Sequence, residues 1–485
     1  MSEAAGQSGE RRGRAARIGL WLGPIAAALA ALAASGTTGD QQALSALMAL
    51  CAVYWITEPV PPAVTALLAM VGSVLLGIAE PARAFGPLGR PLLLLFVGAF
   101  FIAEAMKVHG LGDRVARALA ALARGRLSLM CALSGAAWLM SMWMSNTAAA
   151  AICLPIALAV AASSSDRRLG TALVLAVAYG ASVGGIATPV GTPPNLIGMA
   201  AMAEAGREVG FLTWMGLGLP IAAAMLAGLW LLLALLFSVR PGQELDRAPV
   251  AEERVPWSRG EVSVVIALGL AIAGWLVPGL FALAAPRSGA AAWLDDHLTE
   301  EVVALSAGCL LFVLPARDRT SGAGRPALTW REAAGIDWGV ILLFAGGLLI
   351  GDLARDTGLA DRWGAALLSA TGAESTWALT ALCTASAILL SEATSNTAAA
   401  TLIAPLALSL AEGAGCSPLP PVLGATLGAS YGFMLPISTP PNAMAYSTGA
   451  VTVPGMIRAG VLFDVIGFVL IVAGLRLLAP LFGLV

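Results

Sequence analysis

Charged residues are scarce in this sequence of 485 residues: Asp, Glu, Lys and Arg together make up 12%, and the net charge is −2. Soluble globular proteins carry about 25% charged residues, so a surface this poor in charge cannot face water on all sides. The small net charge and the lack of a basic patch argue against a nucleic-acid partner. Hydrophobic residues make up 58% of the chain. Because a spanning helix needs about 20 apolar residues, these recurring runs indicate a polytopic membrane protein.

Histidine and suitably spaced cysteine are also lacking. The only histidines are His109 and His297, far apart in sequence, and the six cysteines have no metal or redox spacing. Zinc chemistry and a Ser-His-Asp site are therefore poorly supported, and neither an enzyme nor an organic cofactor is expected. The cysteines are interpreted as small buried hydrophobes: Cys51, Cys131, Cys153, Cys309, Cys383 and Cys416.

The hydrophobic pattern predicts an all-α polytopic membrane protein. About 11 transmembrane helices are expected, near 18–35, 42–56, 62–79, 91–107, 170–200, 212–238, 261–279, 300–315, 337–353, 419–447 and 457–482. Two further apolar stretches, 128–162 and 376–411, each contain a polar Ser-Asn-Thr near the middle. Each stretch is either two full spans or a re-entrant helical hairpin that folds back at the polar tip. We favour hairpins.

The distribution of Lys and Arg predicts the orientation. If the helices alternate and both polar stretches are hairpins, twenty basic residues fall on one side and six on the other. The positive-inside rule makes the richer side cytoplasmic, which predicts a multi-pass inner (plasma) membrane protein with a cytoplasmic N-terminus. The count alone does not prove re-entry. The basic N-terminus followed by the apolar run 18–34 also resembles a signal peptide, but an uncleaved first helix is preferred because the remaining chain is membrane-embedded.

The stretch 111–123 differs from the spans because its apolar residues recur at helical spacing. Asp113, Arg114 and Arg117 lie on the opposite face. This pattern predicts an interfacial helix that lies along the membrane.

Four short motifs occur twice, in the same order and 247 to 250 residues apart. They are Leu-Leu-Phe-x-Gly at 94–98 and 342–346, Gly-Leu-x-Asp-Arg at 110–114 and 358–362, Ser-Asn-Thr-Ala-Ala-Ala at 145–150 and 395–400, and Thr-Pro-Pro-Asn at 192–195 and 439–442. The connection after the first motif is basic in the first copy and poorer in basic residues in the second. The copies are therefore expected to be inverted in the membrane, which is typical of transporters. A duplicated membrane enzyme or channel is the alternative.

Each Ser-Asn-Thr lies where unsatisfied polar atoms are costly. Ser or Thr could bond to its own helix, but an Asn amide has two donors and an acceptor to satisfy. At a hairpin tip, free N–H groups and the positive end of a helix dipole point at one spot. The amides of Asn146 and Asn396 and the hydroxyls of Thr147 and Thr397 can donate to carboxylate oxygens there. Two facing tips would suit a dianion.

The prolines at 187–195 and 435–442 are expected to break their helices in mid-span. Carbonyls left unpaired at a break can bind a cation, although a Pro kink without a ligand is the alternative. If each break faces a Ser-Asn-Thr tip, each repeat can build one cation site from hydroxyl, amide and carbonyl oxygens. Such oxygens suit Na⁺, since Ca²⁺ and Mg²⁺ sites usually contain carboxylates.

Acids in or at the ends of apolar segments are functional candidates, and those singled out are Glu58, Glu104, Asp352 and Glu392. Glu392, just before the second tip, is either a proton site or a structural hydrogen-bond acceptor.

These motifs resemble those of the divalent anion/sodium symporters, which carry dicarboxylates, citrate or sulfate. The resemblance covers nearly the whole chain and rests on residues 145–147, 395–397, 191–195 and 438–442. It implies a homodimer, in which each protomer has a scaffold domain and a transport domain that slides like an elevator.

The resemblance also implies site residues. One Na⁺ site would comprise Ser141, Ser145, Asn146 and Gly191, and the other Ser391, Thr394, Asn396 and Ser438. The expected substrate-binding residues are Ser145, Asn146, Thr147, Thr192, Ser395, Asn396, Thr397, Thr439 and Pro440. The family often has Thr at the position of Ser391 and Ala at that of Ser438. Ser391 keeps a hydroxyl, and the site at 438 uses a backbone carbonyl, so neither difference removes a ligand.

The implied division of the chain has six parts: a cytoplasmic tail 1–17, scaffold 18–127, transport part 128–238 (hairpin 128–162, broken helix 170–200), cytoplasmic linker 239–260, scaffold 261–374, and transport part 375–485 (hairpin 376–411, broken helix 419–447). The leading function is Na⁺-coupled symport of a C4-dicarboxylate such as succinate, malate or fumarate. A Na⁺-independent exchanger, a citrate or sulfate symporter and, least favoured, an anion channel are the alternatives. The expected partners are the dianion, Na⁺, the lipid bilayer and a second copy of the chain.

Overall fold

A computed structural model describes residues 2–164, 166–245, 256–285, 288–318, 322–359 and 375–484, with a few isolated positions between 362 and 372. Parts of the predicted linker 239–260 and scaffold 261–374 lie outside the described residues. So do Ala360 and Asp361 of the second repeated motif.

The predicted all-α fold class is confirmed, since nearly every described element is a helix. The helices of the first half are α1 (Ser2–Ala33), α2 (Gly39–Thr57), α3 (Pro62–Leu75), α4 (Pro81–Phe85), α5 (Pro91–His109), α6 (Leu111–Ala121), α7 (Arg126–Ser141), α8 (Asn146–Ser163), α9 (Arg167–Gly185), α10 (Pro193–Glu204) and α11 (Phe211–Phe237). A 3₁₀ turn, Gly86–Gly89, precedes α5.

The described helices of the second half are α12 (Arg259–Ala284), α13 (Gly289–His297), α14 (Glu300–Leu310), α15 (Trp330–Ala333), α16 (Trp338–Asp356), α17 (Thr376–Ala393), α18 (Asn396–Gly413), α19 (Leu419–Ala429), α20 (Pro440–Ser447) and α21 (Val453–Leu478). A 3₁₀ turn, Ala479–Phe482, follows α21. Between α14 and α15, strands β1 (Pro315–Arg317) and β2 (Gly324–Pro326) form an antiparallel hairpin that the all-α prediction did not include.

Within the described residues, eight helical stretches are long and apolar enough to cross a membrane. They are Ala16–Ala33, Pro81–His109, Arg167–Gly185, Phe211–Phe237, Arg259–Phe281, Trp338–Asp356, Thr376–Ala393 and Val453–Phe482. Among the other predicted spans, 62–79 contains only the 14 residues of α3, and 300–315 only the 11 residues of α14. Helix α14 ends at Leu310 and is followed by turns, because the chain must reverse there to enter the β-hairpin. Helix α1 begins at Ser2 and thus includes the predicted tail 1–17, whereas its apolar stretch starts at Ala16.

Helix α6 has the amphipathic pattern predicted for 111–123. Leu111, Ala116 and Ala120 are buried, whereas Asp113 and Arg117 are exposed. Arg114 leaves the polar face to form an ion pair with Glu261 at the start of α12, with 2.8 Å between Nε and Oε1. This pair fixes the connection after α5 to the second half of the chain.

The β-hairpin connection is held by an acid at the start of α15. Partial burial acts to raise the pKa of Glu332, but the hydrogen bonds from Arg325 and Thr329 outweigh it and hold that pKa below its usual value. The Thr329 hydroxyl accepts in turn from the Glu332 N–H, which completes a capping box. These contacts explain an ordered turn in a connection that is poor in apolar residues.

The packing of α5 on α14 allows no side chain at Gly98. A Cβ at this position would overlap the backbone of Ala304 and Leu305. We expect Gly98→Ala to lower the thermal-unfolding midpoint of the detergent-purified protein, because overpacking costs about 1–3 kcal/mol. Gly269→Ala is the matched control in α12, where a Cβ meets nothing within 4 Å. Equal midpoints for the two variants would contradict this packing.

Candidate functional site

Both Ser-Asn-Thr motifs lie at a break between two helices. Ser145 separates α7 from α8, and Ser395 separates α17 from α18. Each serine has an extended backbone, and its hydroxyl accepts a hydrogen bond from the N–H three residues on, with 3.2 Å between the atoms. Ser is a preferred N-cap because it satisfies such an orphan donor. The sequence therefore ends one helix and starts the next at the same point in each repeat.

The predicted broken helices are interrupted as well. Residues 186–192 separate α9 from α10, and residues 430–439 separate α19 from α20. Thr192 and Thr439 are the N-caps, and the consecutive prolines occupy the first helical positions, where no N–H is needed.

In the first repeat, the hairpin tip and the break approach each other through oxygen atoms. The Ser141 hydroxyl donates to Asn146 Oδ1 at 2.6 Å. A Cβ at Gly185 would lie 2.5 Å from this Oδ1 and 3.2 Å from the Gly191 carbonyl oxygen. A Cβ at Gly191 would lie 2.5 Å from the Gly185 carbonyl oxygen and 2.9 Å from that of Ser141. The two glycines thus leave room for a cluster of amide, hydroxyl and carbonyl oxygens.

The second repeat has the corresponding arrangement. The Ser391 hydroxyl donates to Asn396 Oδ1 at 2.8 Å and to the Ala429 carbonyl at 2.8 Å. A Cβ at Gly432 would lie 3.0 Å from both the carbonyl and the hydroxyl oxygen of Ser391. The Thr394 hydroxyl donates to the Leu390 carbonyl of its own helix, which leaves its oxygen lone pairs as acceptors.

One more pair of asparagines shapes the breaks. Asn195 Nδ2 donates to the carbonyls of Gly185 and Thr188, at 2.8 and 2.7 Å. Asn442 Nδ2 donates to those of Gly432 and Leu435, at 2.9 and 3.2 Å. The chain has only four asparagines, and all four lie at these two tips and breaks. The repeated Pro-Pro-Asn signalled Asn195 and Asn442, but neither was predicted as a site residue.

A hydroxyl within each break binds the end of the neighbouring hairpin arm. The Thr188 hydroxyl donates to the Met142 carbonyl at 2.5 Å, and the Ser438 hydroxyl donates to that of Glu392 at 3.2 Å. Ser438 also donates to the Glu392 carboxylate at 2.7 Å. The proton of the Ser438 hydroxyl is therefore engaged, whereas its oxygen lone pairs and the Ser438 backbone carbonyl are the acceptors at this position.

The two repeats interlock. Helix α10 packs against α18 and α19 of the second repeat, and α20 packs against α8 and α9 of the first. A Cβ at Gly198 of α10 would overlap the Thr426 side chain of α19. The Tyr179 hydroxyl of α9 donates to the Phe433 carbonyl in the second break at 2.7 Å. Each broken helix thus finishes against the hairpin of the other repeat.

The predicted substrate-binding residues differ in exposure. Ser145 and Pro440 are exposed, and Asn146, Thr147, Ser395, Asn396 and Thr397 are half-buried. Thr192 and Thr439 are buried, and the Thr439 hydroxyl accepts from the Asn442 N–H. Neither the Thr147 nor the Thr397 hydroxyl makes a hydrogen bond with another described residue. The helix starts of α8 and α18 therefore present accessible donors.

The four acids singled out in the sequence have different surroundings. Glu58 is exposed at the end of α2, Glu104 pairs with Lys107, and Asp352 pairs with Arg90 and Arg355. Only Glu392 lies at a hairpin tip. Its carboxylate accepts hydrogen bonds from the N–H groups of Met434 at 2.8 Å and Leu435 at 3.2 Å.

This geometry agrees with a family-level comparison. The sequence profile of the sodium:sulfate symporter transmembrane region matches residues 24–484. The chain belongs to the sodium:sulfate symporter family. It is accordingly a multi-pass membrane protein, and the predicted resemblance to the divalent anion/sodium symporters is confirmed.

Curated relatives match most of the length of this chain. The sodium-dependent dicarboxylate transporter SdcS of Staphylococcus saprophyticus is 29% identical over 447 residues, which cover 88% of this chain and 84% of the relative. SdcS of Staphylococcus aureus is 29% identical over 449 residues, with the same coverage. An uncharacterized transporter of Haemophilus influenzae is 30% identical over 426 residues, which cover 86% of this chain and 88% of the relative.

A solved structure shares the fold of this family member. The YdaH transporter of Alcanivorax borkumensis, described as having an unusual topology, superimposes with a TM-score of 0.52. The match covers 85% of this chain and 88% of YdaH, at 17% sequence identity.

Proposed function

We propose that this protein is a secondary active transporter that couples Na⁺ to the uptake of a small divalent anion, most consistent with a C4-dicarboxylate such as succinate. The observation that carries the proposal is the paired Ser–Asn tip, Ser141 with Asn146 and Ser391 with Asn396, each against a Pro-interrupted helix. Hydroxyl, amide and carbonyl oxygens of this kind suit a hard monovalent cation. The names of the Staphylococcus relatives favour dicarboxylates.

The helix starts at the two tips supply the anion's contacts in this proposal. Free N–H groups and the dipoles of α8 and α18 favour negative charge at Asn146 and Asn396. Bound Na⁺ at the two tips would neutralise the remaining charge, so anion binding would depend on sodium. The proposed protein is a homodimer in the inner membrane whose transport domain moves like an elevator against the scaffold.

Replacing Na⁺ by choline tests the coupling. We expect uptake of radiolabelled succinate into proteoliposomes to fall to the level of empty liposomes. Without Na⁺, the negative charge of the dianion would lie beside the hydroxyl, amide and carbonyl oxygens of the tips with no positive charge to balance it. Undiminished uptake without internal substrate would contradict the symport. Uptake that needs internal substrate instead of Na⁺ would identify an exchanger, and a non-saturating current would identify a channel. Competition by citrate, sulfate and malate then defines the anion.

A further inference from the structure

One buried acid is not part of either predicted sodium site. Asp464 lies in the middle of α21 and is 3% exposed. Both of its carboxylate oxygens lack a hydrogen-bond donor among the described residues, and it forms no ion pair there. Buried charges are ordinarily paired, so this carboxylate needs a partner of another kind.

The surroundings of Asp464 are the second break and its hairpin. One turn earlier, Gly460 packs directly on the backbone of Phe433 and Met434. The polar groups that interact with Asp464 are the Phe433 N–H and the carboxylate of Glu392, but neither gives its carboxylate oxygens a well-formed hydrogen bond. Two carboxylates side by side repel each other in a low dielectric. The contact is therefore unfavourable unless a cation or a shared proton lies between them.

A third oxygen adds to this cluster. The Tyr431 ring packs against Gly467 on the same face of α21, close to Asp464, and its buried hydroxyl has no hydrogen-bond partner among the described residues. Glu392 still has acceptor capacity, because its carboxylate has about four lone-pair sites and the described donors to it are Met434, Leu435 and Ser438. Tyr179, the other nearby titratable group, is engaged with Phe433.

The first repeat lacks the acids. Gly218 of α11 packs on the Ile186 carbonyl as Gly460 packs on that of Phe433. One turn after Gly218 stands Ala222, where the second repeat has Asp464. Met142 occupies the position equivalent to Glu392. The first break thus forms without either acid, so a broken helix of this kind does not in itself require them.

We infer that Asp464, Glu392 and Tyr431 form a third binding site for a monovalent cation, which is Na⁺ if the proposed function holds. The site offers two carboxylates and one hydroxyl, fewer oxygens than the 6–8 that Ca²⁺ takes. A single positive charge there separates the two carboxylates and satisfies the orphan oxygens of Asp464 and Tyr431. Only the second repeat would contain such a site.

The number of Na⁺ ions moved with each succinate tests this inference. In proteoliposomes, the Na⁺ gradient that just balances an opposing succinate gradient gives this ratio for the full-length protein. We expect Asp464→Asn to move one Na⁺ fewer than the wild type. Tyr431→Phe removes a single ligand oxygen, so we expect the same ratio with a severalfold higher half-saturating Na⁺ concentration. Asp113→Asn, at an exposed acid of α6, should change neither quantity.

Three outcomes would overturn the third site. The first is an unchanged ratio in Asp464→Asn. The second, decisive if Asp464→Asn does not fold, is an unchanged half-saturating Na⁺ concentration in Tyr431→Phe. The third is a ratio that responds to the proton gradient in the wild type but not in Asp464→Asn, because a proton would then occupy the site. Wild-type uptake that ignores Na⁺ altogether would instead refute the proposed function.

Discussion

Asn146→Ala and Asn396→Ala are each expected to reduce Na⁺-dependent succinate uptake by about 10- to 100-fold, because hydrogen bonds to charged groups contribute about 1.5–3 kcal/mol each. Either substitution removes the Oδ1 that accepts from Ser141 or Ser391 and the amide N–H groups at the helix start. Initial rates of uptake into proteoliposomes at saturating Na⁺ measure the effect.

The matched control removes a side-chain amide from helix α2, in the proposed scaffold. The side chain of Gln42 donates to the Ala31 carbonyl between α2 and α1, away from both tips. Gln42→Ala should transport as the wild type does, and all three variants should elute like the wild type in gel filtration. Full activity in Asn146→Ala or Asn396→Ala would refute the assigned sites.

Gly191→Ala is expected to lower uptake by at least tenfold while the protein remains folded. The added methyl group would lie 2.5 Å from the Gly185 carbonyl oxygen and 2.9 Å from that of Ser141. These are backbone atoms, which cannot rotate away as a flexible side chain could. The methyl group would therefore push apart the oxygens proposed to bind Na⁺. The half-saturating Na⁺ concentration of the variant should rise by a larger factor than the maximal rate falls.

Gly135 in α7 provides the comparison for this substitution. A Cβ there meets nothing within 4 Å, and alanine is the better helix former. Gly135→Ala should thus keep wild-type uptake and the same dependence on Na⁺. If Gly191→Ala behaves in the same way, the proposed cation site at the first break is in the wrong place.

The sequence predicted the breaks well because each has a local chemical cause. Ser145 and Ser395 are efficient N-caps, and the prolines at 193–194 and 440–441 favour the start of a helix. These motifs recur 247 to 250 residues apart, and the two copies together are a stronger signal than either copy alone. Composition was sufficient for the membrane class, since few water-soluble folds tolerate so little charge.

The features that sequence could not predict depend on contacts between distant residues. The amides of Asn195 and Asn442 bind carbonyls that exist only after the helix has broken. Asp464 stands alone in an apolar helix, outside every repeated motif, so no pattern connects it with Glu392. The β-hairpin at 315–326 is short and polar, and its residues carry no alternating pattern.

Each half-helix after a break packs on the hairpin of the other repeat. This packing affects how tightly the proposed transport of Na⁺ and of the anion can be coupled. Since α10 rests on the second hairpin and α20 on the first, neither hairpin can shift without carrying the other. Moving one hairpin alone would have to separate the close packing of Gly198 on the Thr426 side chain. In the proposed transporter, the two cation sites would accordingly move as one unit, so that ions bound at both tips would cross in the same step.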